Sequence, residues 1–590
     1  MKILLLASAF NGLTQRAWLE LRRAGHAVTV ELSVSPQAMR EAVELADPDL
    51  IICPFLKDRV PAEIWQRRRT IIVHPGPPGD RGPSSLDWAV TEAAPCWGVT
   101  ALQAAEEMDA GDIWASRTFP LPAEPPAKSA LYNGLVADAA VELIHEVVRK
   151  AADPAFVPTP LDYARDDVWG RLRPPLRQPD RAFDWADDSE SIVRRVRAAD
   201  GSPGVRTVVC GLPVHAYDAH PGQAPAGEPG TVAARRHGAV LVRAGSGSGG
   251  VWLGHLRAVP SGDGPTVKLP ATMVLADRLA GVPEWTAAVD AGTGSPYREI
   301  GYRRDGQVGV LDVDFYNGAM STAQCRRLEA ALRHAAAQDT RVLVLRGGRS
   351  AGVFSNGIHL NVIDAAPYPA VEGWRNIVAI DDACRQLLTG TRQIVVAAVA
   401  GNAGAGGVML ALGADHVLLR EGAVLNPHYR SMGLFGSEYW TYTLPRRVGR
   451  YQAERLTSDC LPIGAAEAAS HGLADAALPR DPAAFDAAVT DYAHRLAGCD
   501  GHAAALDAKR RRRESDERRK PLEAYRTEEL AEMSRDLFAD RNGFAAARRA
   551  FVTKQRPAST PHRIARHRPP DPRPAAEAAP RTAATEAAVA

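Results

Sequence analysis

Paired cysteines, an excess of one charge and an unbroken apolar run of membrane length are all missing from this 590-residue chain, and each absence removes a class of function. The 7 Cys, at 53, 96, 210, 325, 384, 460 and 499, show no paired spacing. That excludes a disulfide frame and a zinc site, and it points to buried thiols in a reducing, cytoplasmic setting with no metal. With 70 Lys+Arg against 69 Asp+Glu the formal charge is +1, so nothing global draws the chain to nucleic acid or to an anionic membrane. Residues 394–414 are mostly apolar, but Gly401, Asn402, Gly404, Gly406, Gly407 and Gly413 interrupt them. A strand, a glycine loop and a buried helix fit that stretch better than a membrane span.

What is present changes character along the chain, which is too long for one core. Residues 1–155 alternate strand and helix patterns, the signature of a parallel sheet whose ligands bind at the carboxyl ends of strands. Residues 156–285 shift to short strand-like pieces punctuated by Gly and Pro, predicting a small β-rich, OB-like domain. Residues 295–556 return to an α/β pattern with a helical extension, and the charged run 509–520 within it predicts a solvated helix, with a phosphate-binding role as the alternative. Residues 557–590, rich in Pro, Ala and Arg, predict a disordered tail. The expected fold class is therefore α/β and multidomain.

Two loops carry chemistry. The first runs His74-Pro75-Gly76-Pro77-Pro78-Gly79-Asp80-Arg81-Gly82, followed by Trp97-Gly98-Val99-Thr100 and Asp109-Ala110-Gly111-Asp112. An imidazole at a strand end with a carboxylate in reach suits acid–base work. Together with Phe183-Asp184-Trp185, Val196-Arg197-Ala198 and Pro203-Gly204, these motifs resemble the formyltetrahydrofolate-dependent formyltransferase family over residues 1–280. The resemblance implies His74 as acid/base, Asp109 as its orienting carboxylate, and a folate held at Phe55, Leu56, Lys57 and Arg81. It also marks a loss: Ile72 stands where that family has an Asn. Losing one oxyanion donor typically costs about 100 to 1000-fold in rate.

The second loop system is Phe354-Ser355-Asn356-Gly357-Ile358 with Gly401-Asn402-Ala403-Gly404-Ala405-Gly406-Gly407. Attack on a thioester, or proton removal from it, builds charge on the carbonyl oxygen, which two backbone N–H groups can stabilise where glycine lets the backbone approach. These segments resemble the crotonase (enoyl-CoA hydratase/isomerase) superfamily over residues 300–480. By resemblance the donors are the amides of Ile358 and Gly406, and Phe354, Ser355, Gly357 and Gly407 hold a coenzyme A thioester. The two Glu positions of the hydratases hold Met409 and His428, which argues against hydration. Glu438 and Tyr439 lie where relatives with other chemistries place reacting groups, and suggest a general base and a proton donor.

In this order, the two halves resemble the HoxX-type [NiFe]-hydrogenase maturation factors nearly end to end. That implies formation of the carbon monoxide ligand of the hydrogenase iron from N10-formyltetrahydrofolate, with coenzyme A carrying the formyl group. The partners expected are folate, coenzyme A and other hydrogenase maturation proteins. A formyltransferase acting on an amine joined to an independent acyl-CoA isomerase, and a non-catalytic scaffold binding folate and coenzyme A, remain alternatives.

Overall fold

Short runs of Ile, Leu and Val build the first sheet from β1 (Lys2–Ala7), β2 (Ala27–Leu32), β3 (Leu50–Phe55), β4 (Thr70–His74), β5 (Cys96–Gln103) and β6 (Ile113–Pro120). Its order is β2-β1-β3-β4-β5-β6. The computed structural model describes residues 1–569 apart from 125, 246, 261–265, 291–296 and 349–351. β1 is apolar on both faces because both are covered. Ile3 and Leu5 face α1 (Gly12–Arg23) and α3 (Ala137–Ala152), while Leu4 and Leu6 face α2 (Pro36–Ala46). Strands β1 to β4 pair in parallel; β5 and β6 are antiparallel, so the expected parallel sheet is mixed at one side. Phe55 and His74 end β3 and β4 at the same carboxyl edge.

The second sheet is antiparallel: β7 (Val205–Val209), β8 (Leu212–Gln223), β9 (Val232–Arg236), β10 (Ala239–Arg243), β11 (Gly249–Ala258) and β12 (Leu269–Pro270). Helix α4 (Ser189–Ala198) packs Ile192, Val193 and Val196 against it.

The third sheet runs β13 (Ile300–Asp305), β14 (Val308–Val313), β15 (Val342–Gly347), β16 (Ile394–Val399), β17 (His416–Arg420) and β18 (Ala476–Leu478) in chain order, parallel except for β13 with β14. Helices α5 (Thr322–Ala337) and α6 (Pro369–Thr389) bury one face with the largest core of the molecule. The apolar stretch 394–414 is β16, a glycine turn and the buried helix α7 (Gly406–Leu412), as its glycines predict. After α8 (Trp440–Val448), helix α9 (Pro482–Gly498) covers the other face, and α10 (His502–Arg519), α11 (Leu522–Phe538) and α12 (Phe544–Val552) form the helical extension. The charged run is not simply solvated: Lys509 turns inward, its Nζ donating to Asp415 at 2.5 Å and to the Gln393 carbonyl at 2.9 Å.

Residues 557–569, expected as the start of a disordered tail, are packed. Val30 N donates to the Ile564 carbonyl at 3.0 Å and Leu32 N to Thr560 Oγ1 at 2.9 Å, so this strap covers the free edge of β2. Buried Glu31 accepts hydrogen bonds from Thr560, His567 and Arg568. Composition misleads here because two apolar residues, Ile564 and Ala565, are enough to anchor a segment whose docking surface already exists. Residues 570–590 of the expected tail lie outside the described residues. Among the described residues no helix is long and apolar enough to cross a membrane, and no cluster of His, Cys, Asp and Glu is arranged to hold a metal ion.

Candidate active sites

His74 ends β4 beneath a cavity of about 520 Å³ lined by Phe55, Leu56, Lys57, Ile72, His74 and Asp109. The sequence motifs around it explain its placement. Thr100 Oγ1 donates to the Gly76 carbonyl at 2.8 Å, and Trp97 Nε1 and Ser85 Oγ donate to the Pro75 carbonyl at 3.0 and 2.7 Å. A Cβ on Gly76 would collide with His74 Nε2 and Asp80 Oδ2, so only glycine lets the chain pass behind that pair. His74 Nδ1 lies 3.5 Å from Asp109 Oδ1, and Nε2 donates to Asp80 Oδ2 at 2.9 Å. Burial alone would lower the His74 pKa, but the Asp80 hydrogen bond and the Asp109 charge outweigh it and hold the imidazole above its usual range.

Arg81 does not line this cavity. Its Nη2 pairs with Glu107 at 2.6 Å and its Nε donates to the Met108 carbonyl at 3.2 Å, so it braces the turn that carries Asp109. Ile72 does face the cavity, so no amide donor occupies the position of the family's Asn.

In the third domain the two glycine loops meet. A Cβ on Gly357 would lie 3.1 Å from Gly406 N, which shows how closely the backbones of Ile358 and Gly406 are brought together. Phe354 and Ser355 are buried behind them, and Gly407 packs on the Ser355 carbonyl with no room for a side chain. The Glu438 carboxylate lies directly over Gly406, where a Cβ would strike its Oε1. At the former carboxylate positions, Met409 is buried in the core, and His428, whose pKa burial lowers, bonds Ser431 Oγ at 3.2 Å.

The phenol facing Glu438 is Tyr429, not Tyr439. Tyr429 Oη donates to Glu438 Oε2 at 2.7 Å, whereas the Tyr439 hydroxyl is buried with no hydrogen-bond partner among the described residues. The reason is local: Glu438 (φ 62°) and Tyr439 (φ 59°) are both left-handed, which turns consecutive side chains to different surroundings. Buried carboxylates hold that backbone. Asp381 Oδ1 accepts from Glu438 N at 2.8 Å, Glu529 Oε2 from Tyr439 N at 2.8 Å, and Glu529 Oε1 from Thr441 N at 2.8 Å. Burial raises Glu438 and Asp381 above the usual carboxylate range, and Glu529 to about 8.

Sequence reasoning missed Asp80, Tyr429, Asp381 and Glu529. Asp80 lay within the quoted motif six residues after His74, a usable signal. Asp381 and Glu529 come from α6 and α11, far away in sequence, and only the fold brings them to residue 438. All three domains contribute to one cluster of cations. Burial and the nearby Lys57, Arg257 and Lys128 lower the Lys554 pKa, and Lys268 is held at about 8 by burial with Lys554 and Arg257 adding repulsion.

Comparisons with known proteins follow the same division. The profile of the enoyl-CoA hydratase/isomerase family matches residues 307–557, and that of the formyl transferase C-terminal domain matches residues 175–259. A methionyl-tRNA formyltransferase of Roseiflexus is 32% identical over 134 residues, covering 23% of this chain and 39% of that protein. The crystal structure of HypX from Aquifex aeolicus in complex with tetrahydrofolic acid superposes with a TM-score of 0.91 at 39% identity, covering 96% of this chain and 99% of that one. The hydrogenase maturation factor HoxX of Bradyrhizobium diazoefficiens is 44% identical over 570 residues, 96% of this chain and 97% of its own length. With both halves matched in one relative of almost the same extent, the chain belongs to the HoxX family of hydrogenase maturation factors.

Proposed function

We propose that the chain makes the carbon monoxide ligand of the [NiFe] site in two steps, formyl transfer from N10-formyltetrahydrofolate to coenzyme A and decarbonylation of the resulting formyl-CoA. The folate bound by the Aquifex relative supports a folate in the cavity beside His74 and Asp109. The cations Lys57, Lys128, Arg257, Lys268 and Lys554 suit the phosphates of coenzyme A, because cations that repel one another gain from an anion placed among them.

The observation that carries the second step is the Glu438 carboxylate lying over the Gly406 amide. A thioester carbonyl held by the amides of Ile358 and Gly406 brings its formyl C–H to that carboxylate. Glu438 takes the formyl proton, the C–S bond breaks with its electrons on sulfur, and CO leaves. Tyr429, whose pKa burial and the Glu438 charge push far up, keeps its own proton and steadies Glu438. Glu438 then returns the proton to the thiolate, and coenzyme A is regenerated. Two backbone amides and one base do this without the hydratase pair of carboxylates.

Incubation of the full chain with N10-formyltetrahydrofolate and coenzyme A should release CO, read as carboxyhaemoglobin. Glu438→Gln should cut that release by about 100-fold or more while formyl-CoA accumulates. Formylated amine without CO would support the amine-transferase reading, and ligand binding without turnover would support a scaffold.

A further inference from the structure

His74 has two nitrogen atoms and two aspartates, and the aspartates are not equivalent. Asp109 lines the cavity with the imidazole, lies 3.5 Å from Nδ1, and stands on a left-handed turn braced by Arg81. Asp80 is absent from the cavity wall, is 1% exposed, and accepts from Nε2 at 2.9 Å. One carboxylate therefore shares the substrate's space, and the other lies behind the ring.

The chain invests several contacts in Asp80. Its backbone N donates to the Pro77 carbonyl at 2.9 Å, and Gly170 lies so close that any side chain there would strike the Asp80 backbone. The segment carrying Gly170 is itself tied down. Gly170 N donates to the Pro78 carbonyl at 2.9 Å, and Tyr163 Oη donates to the Gly79 carbonyl at 3.1 Å. Arg173 faces the far oxygen of Asp80 at 3.5 Å while its Nη1 bonds Glu92 at 2.6 Å, and that Asp80 oxygen makes no hydrogen bond among the described residues. A carboxylate fixed from behind on the ring nitrogen that faces away from substrate performs the service an orienting aspartate gives a catalytic histidine.

We propose that Asp80 is the positioning residue of the formyl-transfer centre: its carboxylate on Nε2 keeps His74 an imidazolium and aims Nδ1–H into the cavity, where it replaces the amide lost at Ile72. The inference rests on the formyl-transfer reading above. In that reaction the formyl oxygen becomes anionic as the thiol sulfur attacks, and Nδ1–H is the donor beside it. The C–S bond forms, the S–H and C–N10 bonds break, N10 receives the imidazolium proton, and the thiol proton restores the imidazolium. Ile72 and Asp80 are thus linked. A neutral amide is gone, and a charged donor held by a buried carboxylate stands in its place.

Asp80→Asn keeps an acceptor against Nε2 but removes its charge, so it separates charge from orientation. The charged groups around the ring are Asp80 and Asp109, with Arg173 beyond Asp80. Nitrogen-15 histidine NMR of the full chain, with the His74 signal assigned through His74→Gln, should show the wild-type imidazolium persisting above the ordinary histidine range and the Asp80→Asn ring titrating at least one pH unit lower. The alkaline limb of tetrahydrofolate release should move down by the same amount. Above the shifted limb kcat should fall about 10-fold for each pH unit of that shift, with the KM for formyltetrahydrofolate within twofold of wild type. Asp80→Ala, checked for tetrahydrofolate binding as a test of folding, should move both in the same direction. A His74 titration and a limb that stay in place in both variants would overturn the proposal. If the wild-type chain consumes no formyltetrahydrofolate, the two-step reaction falls, and the NMR titration alone still decides for or against Asp80.

Discussion

At Glu438 two influences oppose each other. Burial raises its pKa, and the hydrogen bond from Tyr429 lowers it again. Because the base must be ionised, CO release should rise with pH through a value above the ordinary carboxylate range. Tyr429→Phe removes the lowering influence, so that rising limb should move to higher pH and the rate at pH 7 should drop by about 10-fold, the size of one hydrogen bond to a charged group. The pH–rate profile of CO release in the two proteins checks both. The acidic partner in this arrangement was legible in the sequence, since a Glu in an aromatic stretch draws attention. The tyrosine beside it was not, because a pair of left-handed residues reverses the side-chain order that sequence adjacency suggests.

The turn preceding α8 holds two consecutive non-glycine residues in the left-handed region, each costing about 1–2 kcal/mol. Within the turn Ser437 N donates to Glu438 Oε2 at 3.1 Å, but the N–H groups of Glu438 and Tyr439 find their acceptors outside it. Asp381 from α6 and Glu529 from α11 offset the cost by accepting the N–H groups of Glu438 and Tyr439. The helical extension is thus part of the second centre and not an appendage to it. Glu529→Ala leaves the N–H groups of Tyr439 and Thr441 without acceptors, a loss of about 1–3 kcal/mol for each unsatisfied buried group. Hydrogen exchange across residues 435–441 should accelerate, and CO release should fall by about 100-fold, while tetrahydrofolate binding to the first domain stays unchanged. At this scale the sequence read well where its pattern was strong: the glycine-broken stretch 394–414 is the strand, glycine turn and buried helix predicted. It was silent on which distant helix would supply the restraint.

Across the whole molecule the first and last described segments meet. The strap at 557–569 lies on β2, and Glu31, with no exposed side-chain surface, depends on His567, Arg568 and Thr560. Burial works to raise the Glu31 pKa, but these partners outweigh it and hold the group below its ordinary value. A depressed carboxylate contributes stability that is present above its unfolded pKa and lost as the pH falls through its folded one. Truncation after Arg556 should therefore destabilise the first domain by about 1–3 kcal/mol at pH 7, the size of hydrogen bonds to a charged group. Calorimetry should then show that domain melting earlier, with the difference from the full chain narrowing below pH 4. Composition concealed this contact, because proline and arginine dominate the segment and its two anchoring residues are few.

The strap also sets a clock. Leu32 and Thr560 are 528 residues apart, so at 5–20 residues per second the edge of β2 emerges from the ribosome roughly 30–100 s before the segment that closes it. Throughout that interval the nascent first domain presents an unpaired strand edge and an uncompensated Glu31. Only a chain translated past Thr560 can close that edge.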